Sequence, residues 1–293
     1  MDVVLPSRDT TMTLIRLLID LYAPLRGVSP RTVRLYEMTI RKYGEFLGVE
    51  PTVEHLDELS LARFLAWRLA KRSVGTAAKD RAQLHAIAEF ASKRGLCAWP
   101  QMRTIRVPER VPRAWLIDEF RRLLVACDGE HGEVCGSSSA LWFRAILQTA
   151  YWTGERVGAL LALEWGDVEE KAIVFRAEGR KGQRSDIYRP IPQECHAAIM
   201  LIKGRRKLVF DWDRAYTNIW RRLGRICERA GLPNDRLSKF HRVRKTSASY
   251  YAAGGGDPQR LMGHSSPTVT RRYLDPRIVE PDTDTPQRLP NVS

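Results

Sequence analysis

LMGHSSPTVTRRYLDP, residues 261–276, places a Gly-His pair nine residues ahead of Tyr273, with Arg271 and Arg272 just before the tyrosine. A helix-to-helix corner would account for Gly263 and the prolines. A nucleophile presented beside a phosphate-binding histidine would account for His264 and Tyr273 together. Two upstream segments bear on the choice. TGERVGALLALEWGDV (153–168) sets Arg156 at the start of an apolar helix, where the helix dipole disfavours a cation unless an anion sits there. HRVR (241–244) places His241 and Arg244 three apart, on one face of a helix.

With Lys181 in the glycine- and charge-rich EGRKGQRS, these residues form a set of two Arg, two His, one Lys and one Tyr. Such a set can cleave a phosphodiester without metal. Two guanidiniums grip non-bridging oxygens bidentately and neutralise the charge that grows in a pentacoordinate transition state. A tyrosine with an unperturbed pKa near ~10 needs a base or a cationic site to activate it. The departing sugar oxygen needs a proton, which Lys or His can donate. No carboxylate cluster or His/Cys/Asp spacing for a metal is present, so neither a metal nor another cofactor is expected.

Charge points the same way. Forty-eight Lys and Arg against thirty-four Asp and Glu leave +14 and a pI near 9.9, the balance of a protein with a polyanionic partner, most commonly nucleic acid. The surplus is spread: +5 over 13–100, +3 over 101–113 and +8 over 114–275. No run approaches the ~18 apolar residues of a membrane span, so no membrane partner is expected and a cytoplasmic location is. Five scattered cysteines without a C-x-x-C pair fit reduced thiols.

The pattern predicts a mainly α protein with one small β-hairpin. Residues 1–12 read as an N-terminal extension. Residues 13–100 read as a bundle of about four helices. Ser29 caps and Pro30 opens one of them, with Val33, Tyr36, Ile40, Tyr43 and Leu47 on its apolar face. Leu61, Leu65 and Leu69 are expected inward on the next, and Leu84, Ile87 and Ala91 on a helix running from Thr76 to Gly95. The proline- and arginine-rich 101–113 is an extended basic linker. From 114 to 275 the chain is again helical, apart from two β-prone runs in 172–192 that predict a hairpin. The tail 276–293, with four prolines, is expected to be extended, with Arg277–Glu280 adding a strand. The basic residues off the apolar stripes, Arg31, Arg34, Arg41, Lys42, Lys71, Arg72, Lys79 and Arg81, are candidate phosphate contacts, with Arg103 and Arg106 of the linker.

In order, interval and helical context these segments resemble the tyrosine recombinases, the phage-integrase class of site-specific DNA recombinases, over about 13–275. The resemblance implies an N-terminal SAM-like, core-binding helical domain and a C-terminal catalytic domain clamping double-stranded DNA. It implies that Tyr273 attacks a DNA phosphate to give a 3′-phosphotyrosyl bond, and that Arg156, Arg244 and His264 bind that phosphate. His241 would exchange protons near the tyrosine and Lys181 would protonate the leaving 5′-oxygen, with Arg180 its neighbour and rival. Strands would exchange through a Holliday junction within a homotetramer on two recombination sites, without ATP. An accessory or directionality factor is a further candidate partner, and a prokaryotic nucleoid or a phage or mobile element the setting. Departures from the family pattern are visible. Ala159 stands where a Glu is frequent, while Glu155 precedes Arg156; Lys245 stands where a His is frequent; and the segment before Gly263-His264 is short, so its helix should be reduced. With about a dozen residues ahead of the first helix, an added arm-site-binding domain is not expected. A type IB topoisomerase and a DNA-binding architectural protein without catalysis are the alternatives.

Overall fold

The computed structural model describes residues 12–180, 182, 185–235 and 239–279. Lys181, the extension up to residue 11 and the tail from 280 therefore lie outside the described residues. The chain divides into two compact units, Met1–Glu109 and Arg110–Ser293.

In the first unit, α1 (Leu14–Arg16) continues through a π-helical turn (Leu17–Tyr22) into α2 (Ala23–Arg26). Then come α3 (Pro30–Leu47), α4 (Glu58–Lys71) and α5 (Val74–Ser92). Ser29 caps α3 by accepting from the Thr32 amide at 3.3 Å, and Pro30 takes the first helical position. Leu14, Leu17, Leu18, Ile40, Tyr43, Leu61, Phe64, Leu84 and Ile87 make the core.

Two expectations are corrected here. The last helix starts at Val74 rather than Thr76, because Ser73 is the cap and Thr76 is the residue whose amide it holds. Leu69 is 42 % exposed; the inward stripe of α4 runs through Leu61, Phe64, Leu65 and Arg68 instead. Arg68 can take an inward position because Asp80 of α5 receives its Nε at 2.6 Å, and Thr39 of α3 donates to the same carboxylate at 2.9 Å. A buried cation is tolerated only when it is paired and hydrogen-bonded in this way. Residues 101–113 have no regular structure, and Met102 and Ile105 pack on the first unit's core.

The second unit is built around α7 (Ser139–Thr153), whose Trp142, Phe143, Ile146, Leu147 and Ala150 are buried. It is preceded by α6 (Ile117–Ala126) and a two-residue hairpin, β1 (Glu133–Val134) with β2 (Ser137–Ser138), too short for sequence patterning to reveal. After α8 (Val157–Leu161) the expected hairpin forms from β3 (Ala172–Phe175) and β4 (Ile187–Pro190), with Ala172 opposite Pro190 and Phe175 opposite Ile187. Helices α9 (Gln193–Met200), α10 (Thr217–Arg229) and α11 (Phe240–Ala253) follow, and α9 and α11 pack on α7. The chain then makes α12 (Pro258–Met262), α13 (Pro267–Arg271) and α14 (Pro276–Val279). At five residues, α12 is as reduced as its short sequence implied.

The strand expected at 277–280 is not formed by its described residues. Residues 276–279 make a helical turn, because Pro276 is pre-set for a first helical position and the Asp275 carboxylate accepts from the Arg277 amide at 3.0 Å. Cys127, Cys195 and Cys227 are buried thiols outside any disulfide. Burial pushes their thiols up to about 12, about 12 and about 11 respectively, so none is a nucleophile at neutral pH.

Candidate active site

The site begins where α7 ends. Gly154 takes a left-handed conformation (φ 64) and reverses the chain after Thr153. Glu155 turns inward and is 2 % exposed. Arg156 is the residue just before the first turn of α8, in extended conformation, so its side chain leaves the helix start half-buried rather than joining the solvated face.

Helix α11 supplies the next two groups. Arg244 is 2 % exposed. It donates Nη1 to the Gly154 carbonyl and Nη2 to the Met262 carbonyl, the latter at 2.7 Å. Burial, and then the Arg156 charge, lower its guanidinium to about 10, while Glu155 and Tyr273 act in the opposite sense. It stays protonated at neutral pH. His241, one turn earlier, packs its ring edge-on to Tyr273, centroids 5.0 Å apart, while part of the residue stays open to solvent.

His264 follows α12 through Gly263, whose φ of 60 closes that helix. Its Nδ1 lies 3.1 Å from the Thr270 hydroxyl, and its ring centroid is 4.8 Å from that of Tyr273. The tyrosine sits just after α13 and is held by its backbone. Its amide donates to the Thr270 carbonyl at 2.8 Å, and its carbonyl accepts from Ser249 Oγ at 3.3 Å. Ser249 in turn accepts from the Asp275 amide at 2.9 Å, and the fully buried Asp275 carboxylate accepts from the Ala114 amide at 2.7 Å and from Arg277.

Tyr273 thus lies between two imidazoles, with the Arg244 guanidinium carbon 5.8 Å from its ring centre. Both imidazoles are held to about 4, by burial first and then by cationic neighbours: Lys245, Arg244 and Arg156 for His241, and Arg244 and Arg156 for His264. Arg156 and Arg244 are the cations that act on both rings. His264 Nε2 and Arg244 Nε are buried without a hydrogen-bond partner among the described residues. Buried polar atoms left open in this way mark where a ligand oxygen fits.

Five of the six sequence-predicted groups, Arg156, His241, Arg244, His264 and Tyr273, are therefore brought together. Lys181 lies outside the described residues. Its rival Arg180 is 5 % exposed and donates Nη2 to Glu155 at 2.9 Å, so its guanidinium is engaged inside the protein. Of the basic residues read as phosphate contacts, Arg31, Arg34, Arg41, Lys71, Arg72, Lys79, Arg103 and Arg106 are exposed. Lys42 is half-buried and pairs with Glu45 at 2.7 Å, and Arg81 donates to the Met102 carbonyl at 2.7 Å, pinning the linker.

Sequence reading missed Arg189, Thr270 and Asp275. The signal for Arg189 was its place in IYRP: side chains two apart share a strand face, so it points with Ile187 toward the core and requires a carboxylate there. Among the described residues no group of three His, Cys, Asp or Glu could hold a metal, and no helix is long and apolar enough to cross a membrane.

Residues 116–278 match the phage integrase family, and residues 18–95 match the phage integrase N-terminal SAM-like domain. Tyrosine recombinase XerD of Mycobacterium tuberculosis is 27 % identical over 280 residues, covering 85 % of this chain and 88 % of the relative. Tyrosine recombinase XerC of Rhodospirillum centenum is 27 % identical over 277 residues, covering 85 % and 79 %. Among solved structures, a lambda integrase tetramer bound to a Holliday junction superposes with a TM-score of 0.70 at 20 % identity, covering 92 % of this chain and 79 % of that one. The XerH site-specific recombinase bound to palindromic difH substrate, in a post-cleavage complex, gives 0.66 at 18 %, covering 88 % and 80 %. At those identities the two structures establish a shared fold. The family match spans more than half of the chain and contains the pocket built around Tyr273, and the chain belongs to the phage integrase family, the tyrosine recombinases.

Proposed function

We propose that this protein cleaves and rejoins double-stranded DNA at specific sites through a covalent link to Tyr273. The observation that carries the reading is the Tyr273 ring packed against both His241 and His264 and beside Arg244, two of these neighbours carrying polar atoms that are buried and open among the described residues. The scissile phosphate takes Arg156, Arg244 and His264 as its partners. Tyr273 Oη attacks phosphorus and its proton passes to His241, whose imidazole is neutral at pH 7 and free to accept it. The Tyr–phosphorus bond forms as the bond to the 5′-oxygen breaks. Lys181 protonates that oxygen, the role left to it with Arg180 engaged by Glu155. The ester keeps the energy of the broken bond, so a 5′-hydroxyl from a second duplex restores a phosphodiester by the reverse steps. Two guanidiniums on one phosphate contribute by electrostatic preorganisation.

Pairwise exchange through a Holliday junction within a homotetramer is the assembly this chemistry requires. The lambda integrase tetramer, whose fold this chain shares, supports it. The test uses nicked duplexes tiled across the DNA flanking the protein's own gene, scored for an SDS-resistant adduct. Wild type should form one, and Tyr273→Phe should form none while binding DNA within about 2-fold of wild type, since it removes a group needed only for chemistry. Binding by wild type without any adduct would instead make it an architectural DNA-binding protein.

A further inference from the structure

The two turns that carry the phosphate ligands, 154–156 and 260–264, are joined twice. Arg244 bridges the carbonyls of Gly154 and Met262. One residue along in each turn, Arg189 of β4 bridges Glu155 and Leu261. Its Nη2 lies 3.7 Å from Glu155 Oε1, donates to the Leu261 carbonyl, and lies 3.4 Å from the Arg260 carbonyl. Arg189 is 8 % exposed and Glu155 is 2 % exposed. Glu155 is itself fixed by Arg180, at 2.9 Å to Nη2 and 3.2 Å to Nε, and its other oxygen accepts from the Arg156 amide at 3.3 Å. One buried carboxylate thus holds the hairpin, the Arg156 backbone and, through Arg189, the stretch leading into His264.

We propose that Arg189, held by Glu155, is a positioning residue for this reaction: a second clamp, parallel to Arg244, that keeps His264 in register with Arg156. The need for it follows from the double duty of Arg244. That guanidinium must hold two carbonyls and also meet the phosphate, and any shift it makes toward the phosphate slackens the bridge it forms. Arg189 is anchored on Glu155 and the Leu261 carbonyl, different partners in the two turns from those Arg244 uses, so it can hold the turns while Arg244 moves. Such pairing of the two turns to within an ångström matters because misplacing a catalytic group by about 1 Å can cost about 100-fold in rate. The inference rests on the recombinase reading for its kinetic consequence, but its structural part stands without DNA.

The test therefore has two arms on the full chain. In the DNA-free protein, hydrogen exchange of the Gly263 and His264 amides, which donate to Arg260 and Gln259 carbonyls, should be about 10-fold faster in Arg189→Lys than in wild type, with the amides of α7 and the overall Tm little changed. Lysine keeps the charge beside Glu155 but cannot span both partners. Unaltered exchange would overturn the clamp, whatever the DNA results. On the duplex that wild type converts to adduct, Arg189→Lys and Glu155→Gln should each cleave about 10–100-fold more slowly in a single turnover, with affinity within about 2-fold. Adding Ala159→Glu to Glu155→Gln should recover most of the rate. Ala159 and Arg180 line one groove of about 610 Å³, which gives a new carboxylate room to reach that guanidinium. Wild-type cleavage by both single variants, or parallel losses of rate, affinity and Tm with no recovery in the double variant, would reduce the network to a packing feature. Absence of an adduct in wild type itself would sink the recombinase reading alone, leaving the exchange arm to decide the clamp.

Discussion

The two histidines flanking Tyr273 make a pH signature that the DNA-free protein should display. Both are lowered from 6.5 to about 4, so the fold favours their neutral forms. Between about pH 6.5 and 4 the unfolded chain takes up protons there and the native protein does not, so stability falls as pH falls. The contribution is complete above about 6.5 and lost on descending toward 4. The two shifts end at the same value, so each histidine contributes, and Tm measured across that window should fall less steeply in His264→Gln than in wild type. A bound phosphate reverses the local balance: an anion against Arg156, Arg244 and His264 favours the imidazolium. Binding of the cleavable duplex at pH near 5.5 should therefore take up protons, seen as a dependence of calorimetric enthalpy on buffer ionisation heat. Equal enthalpies across buffers would mean that neither histidine faces the phosphate.

At the scale of elements, the turn closing α7 is the hinge of the site. Gly154 has φ 64, and a Cβ added there would lie 3.1 Å from Ser247 Oγ and 3.2 Å from Leu261 Cγ. Gly154→Ala therefore combines a disfavoured left-handed alanine with a crowded one, and should cost about 1–3 kcal/mol of stability in urea unfolding. It should also slow adduct formation, because the Gly154 carbonyl is one of the two that orient Arg244; full adduct rate at reduced stability would show the turn to be merely structural. This turn was legible in the sequence as T-G-x-R, as were the hairpin at 172–192, the Ser29 cap and the helix pair leading to Tyr273. Those features are written in local chemistry: a glycine for positive φ, a proline at a helix start, alternation in a strand. The inward arginines were not. Arg68, Arg180 and Arg189 look like solvated charges until Asp80 and Glu155, distant in sequence or on another element, are brought beside them. For the same reason Ala159 suggested a missing carboxylate when Glu155 already occupies the interior beside Arg180.

Across the whole molecule the +14 charge is divided between side chains held by the protein and side chains open to a polyanion, and only the latter should release counterions on binding DNA. Arg103 and Arg106 are exposed in the irregular 101–113 stretch, whereas Arg81 is committed to the Met102 carbonyl and Lys42 to Glu45. Each phosphate neutralised contributes about −0.9 to the slope of log K against log salt on duplex DNA. Arg103→Ala with Arg106→Ala should accordingly flatten that slope by about 2 and weaken binding of any duplex alike, since phosphate contacts carry no sequence information. Arg81→Ala should leave the slope within about 0.5, because the lost hydrogen bond loosens the seating of Met102 without removing a counterion-releasing contact. Gel-shift titrations between about 50 and 200 mM salt measure all three proteins in the range where the effect is largest. If the double variant keeps the wild-type slope, the basic linker does not run along the phosphate backbone. The candidates for the electrostatic footprint then include the exposed cations of α3, α4 and α5, among them Arg31, Arg34, Arg41, Arg63, Lys71 and Lys79, with Arg72 at the end of α4.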